Sequence, residues 1–420
     1  MRTSVSGGNI NEFAFEPIYY TSDSFAIRSW PRQDILVLEG KLIKTEQFQW
    51  SAQEGWQPAL TTGQLTGSAQ LVLVFGRSNL LEQSGGLDAI HRAYPNANIA
   101  GCSTAGEILK ATVRDDTVVV AAVSFEHTRV VCRSVMIEGP AHSFQAAQDL
   151  ARGLDLKGLR HVILFSEGLR VNASDFVRGI NSVLPSAVTI SGGFAGDGNR
   201  LQSTQVWCNC EPAECMAAAI ALYGERLQVG VSAIGGWKPF GPDRLITRSS
   251  QNVLYEVDSK PVLGLYKQYL GKYAEGLPAT GLMFPLEIVI EEQRVLRALL
   301  GIDEAQQSIT FAGDVPEGAY ARFMVGHTDD LVEGTEAAAQ NSIVPLNGAN
   351  SQLSLLVSCN GRRFVLKQRV EEEVEAVQDA LGPLTPMTGF YSYGEIAPPT
   401  PDHRAELHNE TMTITSLAEI

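Results

Sequence analysis

The stretch Ile99-Ala100-Gly101-Cys102-Ser103-Thr104-Ala105-Gly106-Glu107-Ile108 runs from apolar residues into small and hydroxyl-bearing ones and ends beside a carboxylate. A strand that stops in such a sequence leaves a thiol, two hydroxyls and backbone N–H groups at its end, where α/β proteins usually place their sites. Cys102 is a candidate nucleophile, but a reactive thiol needs a histidine or a helix N-terminus to lower its pKa, and no histidine adjoins it in sequence. Ser191-Gly192-Gly193-Phe194-Ala195-Gly196-Asp197-Gly198 follows a second apolar strand. Gly192 and Gly193 can present N–H groups to an anion, and Asp197 can hold an amine or a hydroxyl. No Gly-Lys-Ser/Thr follows, which excludes a Walker loop. For both stretches a tight turn of small residues is the plainer alternative.

Three of the six cysteines, Cys208, Cys210 and Cys215, fall in one short polar turn. Thiolates this close bind soft metals such as zinc or iron, or exchange into disulfides. The C-x-C-x4-C spacing matches no familiar zinc finger, and a closed zinc site wants a fourth ligand. Near the C-terminus, Tyr393 and Glu395 precede Leu407-His408-Asn409-Glu410-Thr411. Glu395 with His408 reads as an acid–base pair, as a haem or metal ligand with its partner, or as a hydrogen-bonding cap. Arg362 and Arg363, in a strand-to-helix turn after Cys359, are of a type that recognises carboxylates.

The elements that must position these residues follow from the pattern of apolar residues. Alternation over Ile35–Ile43 predicts a strand, and Thr61–Ser68 a loop. Leu71–Phe75 is a continuous apolar run, as in a strand covered on both faces. A helix through Leu87, Ile90 and Tyr94, stopped at Pro95, leads to the strand that carries Cys102. Further strands are predicted at Thr117–Phe125, Val130–Ile137, His161–Phe165, Val188–Ser191, Thr204–Cys208, Met216–Leu222 and Leu227–Val231, with helices over Phe144–Leu156 and Ser174–Leu184. Gly235–Ser250, polar and glycine-rich, reads as a joint. Beyond it come more strands, the helix Lys367–Leu381, and strands at Thr388–Ser392 and Met412–Leu417. No internal repeat, coiled coil or low-complexity tract is evident. The fold class is therefore α/β to α+β: two domains of mixed β-sheets flanked by helices. Residues 1–68 form an N-terminal segment packing on the first domain, which spans 69–250, and the second spans 251–420.

Length and charge limit the function classes. A chain of 420 residues exceeds one ordinary core. With 44% hydrophobic and 19% charged residues it is globular, and a net charge of −15 without a basic cluster argues against nucleic-acid and anionic-membrane surfaces. No apolar run reaches membrane-spanning length, and Met1–Tyr20 lacks the apolar centre of a signal peptide. Six cysteines are too few for a disulfide scaffold, so a reducing cytoplasm is expected.

Pro95–Ile108 resembles the signature of the FIST N domain, and Ile190–Gly198 is similar to a second element of it. Gly389–Ile396 with Leu407–Thr411, and Asn252–Val257 followed by Pro261–Tyr266, resemble the FIST C domain. The resemblance spans about residues 69–418. It implies an intracellular sensor of signal transduction that binds a small ligand. Some members are described as haem-based nitric oxide sensors acting on histidine kinases. The expected ligand-binding set is Cys102, Ser103, Thr104, Gly192, Gly193, Asp197, Tyr393, Glu395, His408 and Asn409, converging on one enclosed hollow. Haem b with His408 as axial ligand, and zinc or iron at Cys208, Cys210 and Cys215, are the cofactor expectations. The expected partners are the ligand and a signalling protein such as a histidine kinase, with a homodimer left open. The alternative from another class is a hydrolase or acyltransferase with Cys102 as nucleophile and His408 as base.

Overall fold

The computed structural model describes residues 42–290 and 293–420. The strand predicted over Ile35–Ile43 lies outside these residues except for Leu42 and Ile43, which precede the strand Lys44–Ser51. Helices and mixed sheets alternate along the chain, as the fold class requires.

Three six-stranded sheets share one plan, so the chain does contain an internal repeat. In each, a lead strand pairs in parallel with a second strand across a helical crossover. These pairs are Leu71–Gly76 with Asn98–Cys102, Leu159–Ser166 with Thr189–Phe194, and Leu353–Cys359 with Met387–Ser392. A return strand lies antiparallel on the other side of the lead strand: Val118–Ser124, Met216–Tyr223 and Met412–Glu419. An outer strand then pairs with the return strand: Lys44–Ser51, Arg129–Met136 and Leu227–Ile234.

Between its second and return strands each repeat sends an arm onto a neighbour's sheet. Glu107–Leu109 of the first repeat pairs with the third repeat's second strand. Glu395–Ala397 of the third pairs with the second repeat's. Val206–Cys208 of the second pairs with the first repeat's. The exchange is cyclic, so the family-like halves of the sequence share sheets. Strand register shows the repeats.

Inward faces of all three sheets meet in one core. Phe75, Phe165 and Phe390 fill it, with ring centroids 5.5, 4.9 and 5.7 Å apart. Such aromatic pairs contribute about 0.5–1.5 kcal/mol each beyond area burial. Outward faces are covered by helices: Ser143–Arg152 and Ala173–Asn181 on the second sheet, Thr328–Ile343 and Val370–Leu381 on the third. Burial on both faces is why the lead strands read as continuous apolar runs.

Residues 238–325 are inserted into the third repeat and have their own eight-stranded sheet and core, around Leu254, Tyr266, Ile288 and Phe311. The joint predicted at Gly235–Ser250 is instead largely a strand, Lys238–Ser250. Only Ile246 within it is fully buried, and its register shifts between Phe240 and Arg244, so its sequence looks like a loop. The strand is bulged and half in solvent.

Candidate functional site

Each second strand carries a glycine where the backbones crowd. A Cβ on Gly101, Gly192 or Gly389 would come 1.7, 1.9 or 1.8 Å from the carbonyl oxygen of Val74, Leu164 or Leu356 on the lead strand. These glycines serve close approach. Just beyond them the three loops bond in a ring. Ala105 N donates to the Tyr391 carbonyl at 2.8 Å, Tyr393 N to Phe194 at 3.0 Å, and Gly196 N to Ser103 at 2.9 Å. Distant parts of the polypeptide therefore do converge, but by bonding one another rather than by facing a shared void. A cleft of about 300 Å³ lies elsewhere, lined by Arg178, Gln251, Ile290 and Asp314 among others.

Two of the arms begin with the same pentapeptide pattern, hydroxyl-x-Gly-Glu-Ile: Thr104–Ile108 and Ser392–Ile396. Thr104 Oγ1 donates to Glu107 Oε1 at 2.5 Å, while Thr117 donates Oγ1 and N to Oε2 at 2.7 and 3.2 Å. In the third repeat Ser392 Oγ donates to Glu395 Oε1 at 2.5 Å, and Thr411 donates Oγ1 and N to Oε2 at 3.0 and 3.2 Å. Each carboxyl ties the root of its arm to the start of its return strand. Burial pushes Glu107 up to about 7 and Glu395 up to about 8, against the pull of these donors.

The second repeat has Gly198 at that position and uses Asp197 instead. Its carboxylate accepts the N–H groups of Leu201, Gln202 and Ser203 at 2.9, 2.8 and 3.1 Å and the hydroxyl of Tyr393. Burial opposes its ionisation, yet these donors together hold it below the ordinary aspartate value. Asp197 and Tyr393, both in the expected set, are thus in direct contact.

Just ahead of each return strand one residue takes a left-handed backbone: Asp116, Cys215 and Glu410, at φ 56°, 54° and 61°. These three corners are equivalent by register, since Val118, Ala217 and Met412 face Gly76, Ser166 and Ser358. At the first corner Asp116 pairs with Arg77 in partial exposure. At the second, Arg170 pairs with Glu214, the residue before Cys215. At the third, Glu410 is fully buried, and neither carboxyl oxygen has a hydrogen-bond partner among the described residues.

Glu410 lies over Gly361, where a Cβ would fall 2.0 Å from Oε1, and beside Cys359, the counterpart of Arg77. The adjacent guanidinium of Arg362 reaches the Glu410 backbone carbonyl at 3.4 Å but not its carboxyl. Its Nε donates to Glu373 at 3.0 Å, and its other nitrogens to the Gly235 and Leu331 carbonyls and the Thr335 hydroxyl at 2.6, 3.0 and 2.8 Å. Glu373 is further bound by Tyr391 and Ser358 at 2.6 and 3.1 Å. Burial first, and then the charge of Glu395, push Glu410 well above the usual carboxylate range, with only partial compensation from Arg362. Burial and both carboxyls push the Cys359 thiol up as well. The motif Leu407–Thr411 contains Glu410, but the expected ligand-binding set ended at Asn409 and left it out. The left-handed acid–Thr pair recurring before two return strands was the available signal.

Several other expectations are corrected. Cys102 is fully buried in the common core, and burial pushes its thiol well up, the reverse of an activated nucleophile. Ser103 Oγ accepts from Gln205 N at 2.9 Å, a structural bond. Gly192 and Gly193 lie within strand ladders and offer no open anion cradle. His408 faces Glu395 in register, but its Nε2 bonds the Ala397 carbonyl at 3.0 Å, and burial pushes it down to about 4. It is therefore neutral, packed in a ladder and not free to act as base. A haem ligand must offer a ring nitrogen to an open face, so these surroundings do not fit haem. Asn409 Oδ1 accepts from Ala298 N at 3.4 Å, and its Nδ2 has no partner among the described residues.

The three cysteines of the turn also diverge. Cys208 faces Cys132, Cys215 faces Arg170, and Cys210 is exposed with its sulfur 4.0 Å from Met216 Sδ. No group of three His, Cys, Asp or Glu side chains among the described residues is placed to hold a metal ion. The turn does not fit a zinc or iron site.

The architecture is that of a mixed α/β module in which interlocked repeats bring remote loops together. The FIST N domain matches residues 70–260 and the FIST C domain residues 263–398; the chain belongs to the FIST family. FIST domains are sensor domains of signal transduction that bind small ligands. A comparison with curated proteins finds no match. Among solved structures, the cyanuric acid hydrolase from A. caulinodans is similar at 7% identity and a TM-score of 0.37, over 90% of this chain and 99% of that one. A likeness this weak transfers neither fold nor activity. No helix among the described residues is long and apolar enough to cross a membrane.

Proposed function

We propose that this chain is a cytoplasmic sensor whose small ligand carries a positively charged group and is read at the third corner, by Glu410 with Glu395 behind it. The observation that supports the reading is the unpartnered buried carboxyl of Glu410. At the first corner a guanidinium pairs with the left-handed residue and at the second with its neighbour Glu214, whereas here Cys359 stands in the place of Arg77. A buried carboxyl without a donor costs about 1–3 kcal/mol or holds a proton. A ligand ammonium or guanidinium would replace that proton and tighten the knot at Glu395. The knot sits at the root of the third repeat's arm, which pairs with the second repeat's sheet, so a change there reaches two sheets. A signalling partner such as a histidine kinase would read it.

The test is a thermal-shift titration of the full chain with methylammonium, putrescine and arginine, against matched sodium salts. A saturable rise in Tm with at least one cation, lost in Glu410→Gln, is the expected result. No saturable shift with any of them, or an equal shift in Glu410→Gln, overturns the reading.

A further inference from the structure

The helix Asn360–Leu366 begins where all three repeats meet, and its opening residues each hold a different part of the molecule. Asn360 Nδ2 donates to the Gly198 carbonyl and the Asn199 side chain of the second repeat, at 3.4 and 3.3 Å. Gly361 packs against Glu410 with no room for a methyl group between them. Arg362 is bound within its own repeat by Glu373. Arg363 crosses to the first repeat. Its two terminal nitrogens donate to the two carboxylate oxygens of Asp115, both at 2.8 Å, and Nη1 donates also to the Ala105 carbonyl. Its guanidinium lies 5.0 Å from the centre of the Tyr391 ring.

The Asp115 side chain is 63% exposed, so solvent screens that contact. Ala105 and Tyr391 are buried, and they bear the clasp. Tyr391 is itself fixed. Its hydroxyl donates to Glu373 at 2.6 Å, its N–H donates to the Gly106 carbonyl at 2.8 Å, and its carbonyl accepts from Ala105 N at 2.8 Å. Gly106, at φ 137°, leaves the space that the guanidinium fills, since a Cβ there would lie 2.5 Å from Nη1. From these residues the arm Glu107–Leu109 departs for the third sheet.

From this junction, and resting on Glu410 as the sensing carboxyl, we infer that Arg363 is a positioning residue through which the third corner sets the first repeat's arm. Glu410 cannot move toward Gly361 without displacing the start of the helix, and Arg363 is two residues further on. Its fork then carries the displacement to the Ala105 carbonyl, at the root of the arm.

The experiment needs no ligand, because Gly361→Ala is a wedge whose methyl must displace Glu410 or the helix. Hydrogen exchange of the full chain, read by mass spectrometry, should be several-fold faster over residues 104–109 in Gly361→Ala, with the outer strand Lys44–Ser51 unchanged. Arg363→Lys keeps the charge and loses the fork, so adding Gly361→Ala to it should give no further rise over 104–109. Unchanged exchange over 104–109 in Gly361→Ala, an equal rise over Lys44–Ser51, or the same further rise in the Arg363→Lys background overturns the inference. If Gly361→Ala does not fold, Glu410→Ala, which removes the carboxyl from against the helix, is judged by the same outcomes. Arg363→Lys should also keep the cation-dependent rise in Tm, and its loss there would make Arg363 part of the binding site and refute the positioning role. No rise in the unaltered chain sinks the ligand reading alone, and the exchange result still decides the role of Arg363.

Discussion

The first and third corners of the molecule share one construction and end in different electrostatics. Both tie a buried glutamate to a hydroxyl three residues earlier and to the threonine that opens the return strand. At the first, the neighbouring acid is exposed and meets Arg77, so water and a guanidinium satisfy it. At the third, the neighbouring acid is inside, faces a thiol, and finds the nearest guanidinium turned toward Glu373. A repeated backbone therefore does not guarantee a repeated site. One changed side chain at the end of a lead strand, cysteine for arginine, leaves a buried carboxyl unmatched.

The largest effect should come from the ion pair that draws Arg362 away. Glu373→Gln strands a fully buried guanidinium, and such a loss costs about 3–5 kcal/mol, measured as the shift in urea unfolding. Glu410→Gln removes a carboxyl with no partner and should be neutral or stabilising, most clearly at alkaline pH. A large destabilisation there would show that the two acids are not different in kind.

Next come the glycines that make the repeats equivalent. Gly101→Ala and Gly389→Ala each drive a methyl into a carbonyl oxygen, so both should destabilise by about 3 kcal/mol. Gly67, with open space around its Cβ position, should tolerate alanine. Unequal costs at Gly101 and Gly389 would break the equivalence.

The pH dependence is smaller and has two limbs. Glu107 and Glu395 keep their protons to about 7 and about 8, whereas the unfolded chain releases them near 4.5. Their contribution is full below pH 4.5 and falls as pH rises through those values. His408 runs the other way: unfolded it takes a proton near 6.5, folded only near 4. Its contribution is full above 6.5 and falls as pH drops to 4. The limbs overlap between 4.5 and 6.5, where two glutamates outweigh one histidine, so urea midpoints should peak near pH 4.5 and decline above it, and Glu395→Gln should flatten the alkaline limb more than Glu107→Gln does.

The smallest change is expected at the exposed pair of the first corner. Arg77→Ala should cost less than about 1 kcal/mol by the same measurement, because solvent screens that contact.

Much of the fold is legible in the chain itself. Leu71–Phe75 and Met216–Leu222 announce strands buried on both faces because no polar side chain interrupts them. The helix through Val370, Val374 and Val377 shows its buried side by spacing. The motifs around Cys102, Asp197 and Glu395 mark places where remote loops meet, and they do meet. The roles of individual residues were less visible. Glycines that look like an anion cradle at 192 and 193 serve strand contact, and three cysteines close in sequence point in three directions. Spacing along a loop does not fix direction in space.

What the amino-acid sequence determined by itself was local: which segments become strands or helices, which faces are apolar, and which family the chain resembles. Those properties follow from side-chain period and size, which act over a few residues. What only the tertiary structure decided was the cyclic exchange of arms, the insertion inside the third repeat, and the fate of each buried charge. Whether Glu410 meets a guanidinium depends on residues about 50 positions away and on the partner that Arg362 prefers. Electrostatic pairing is settled by through-space distance and desolvation, and neither is written in the order of the chain.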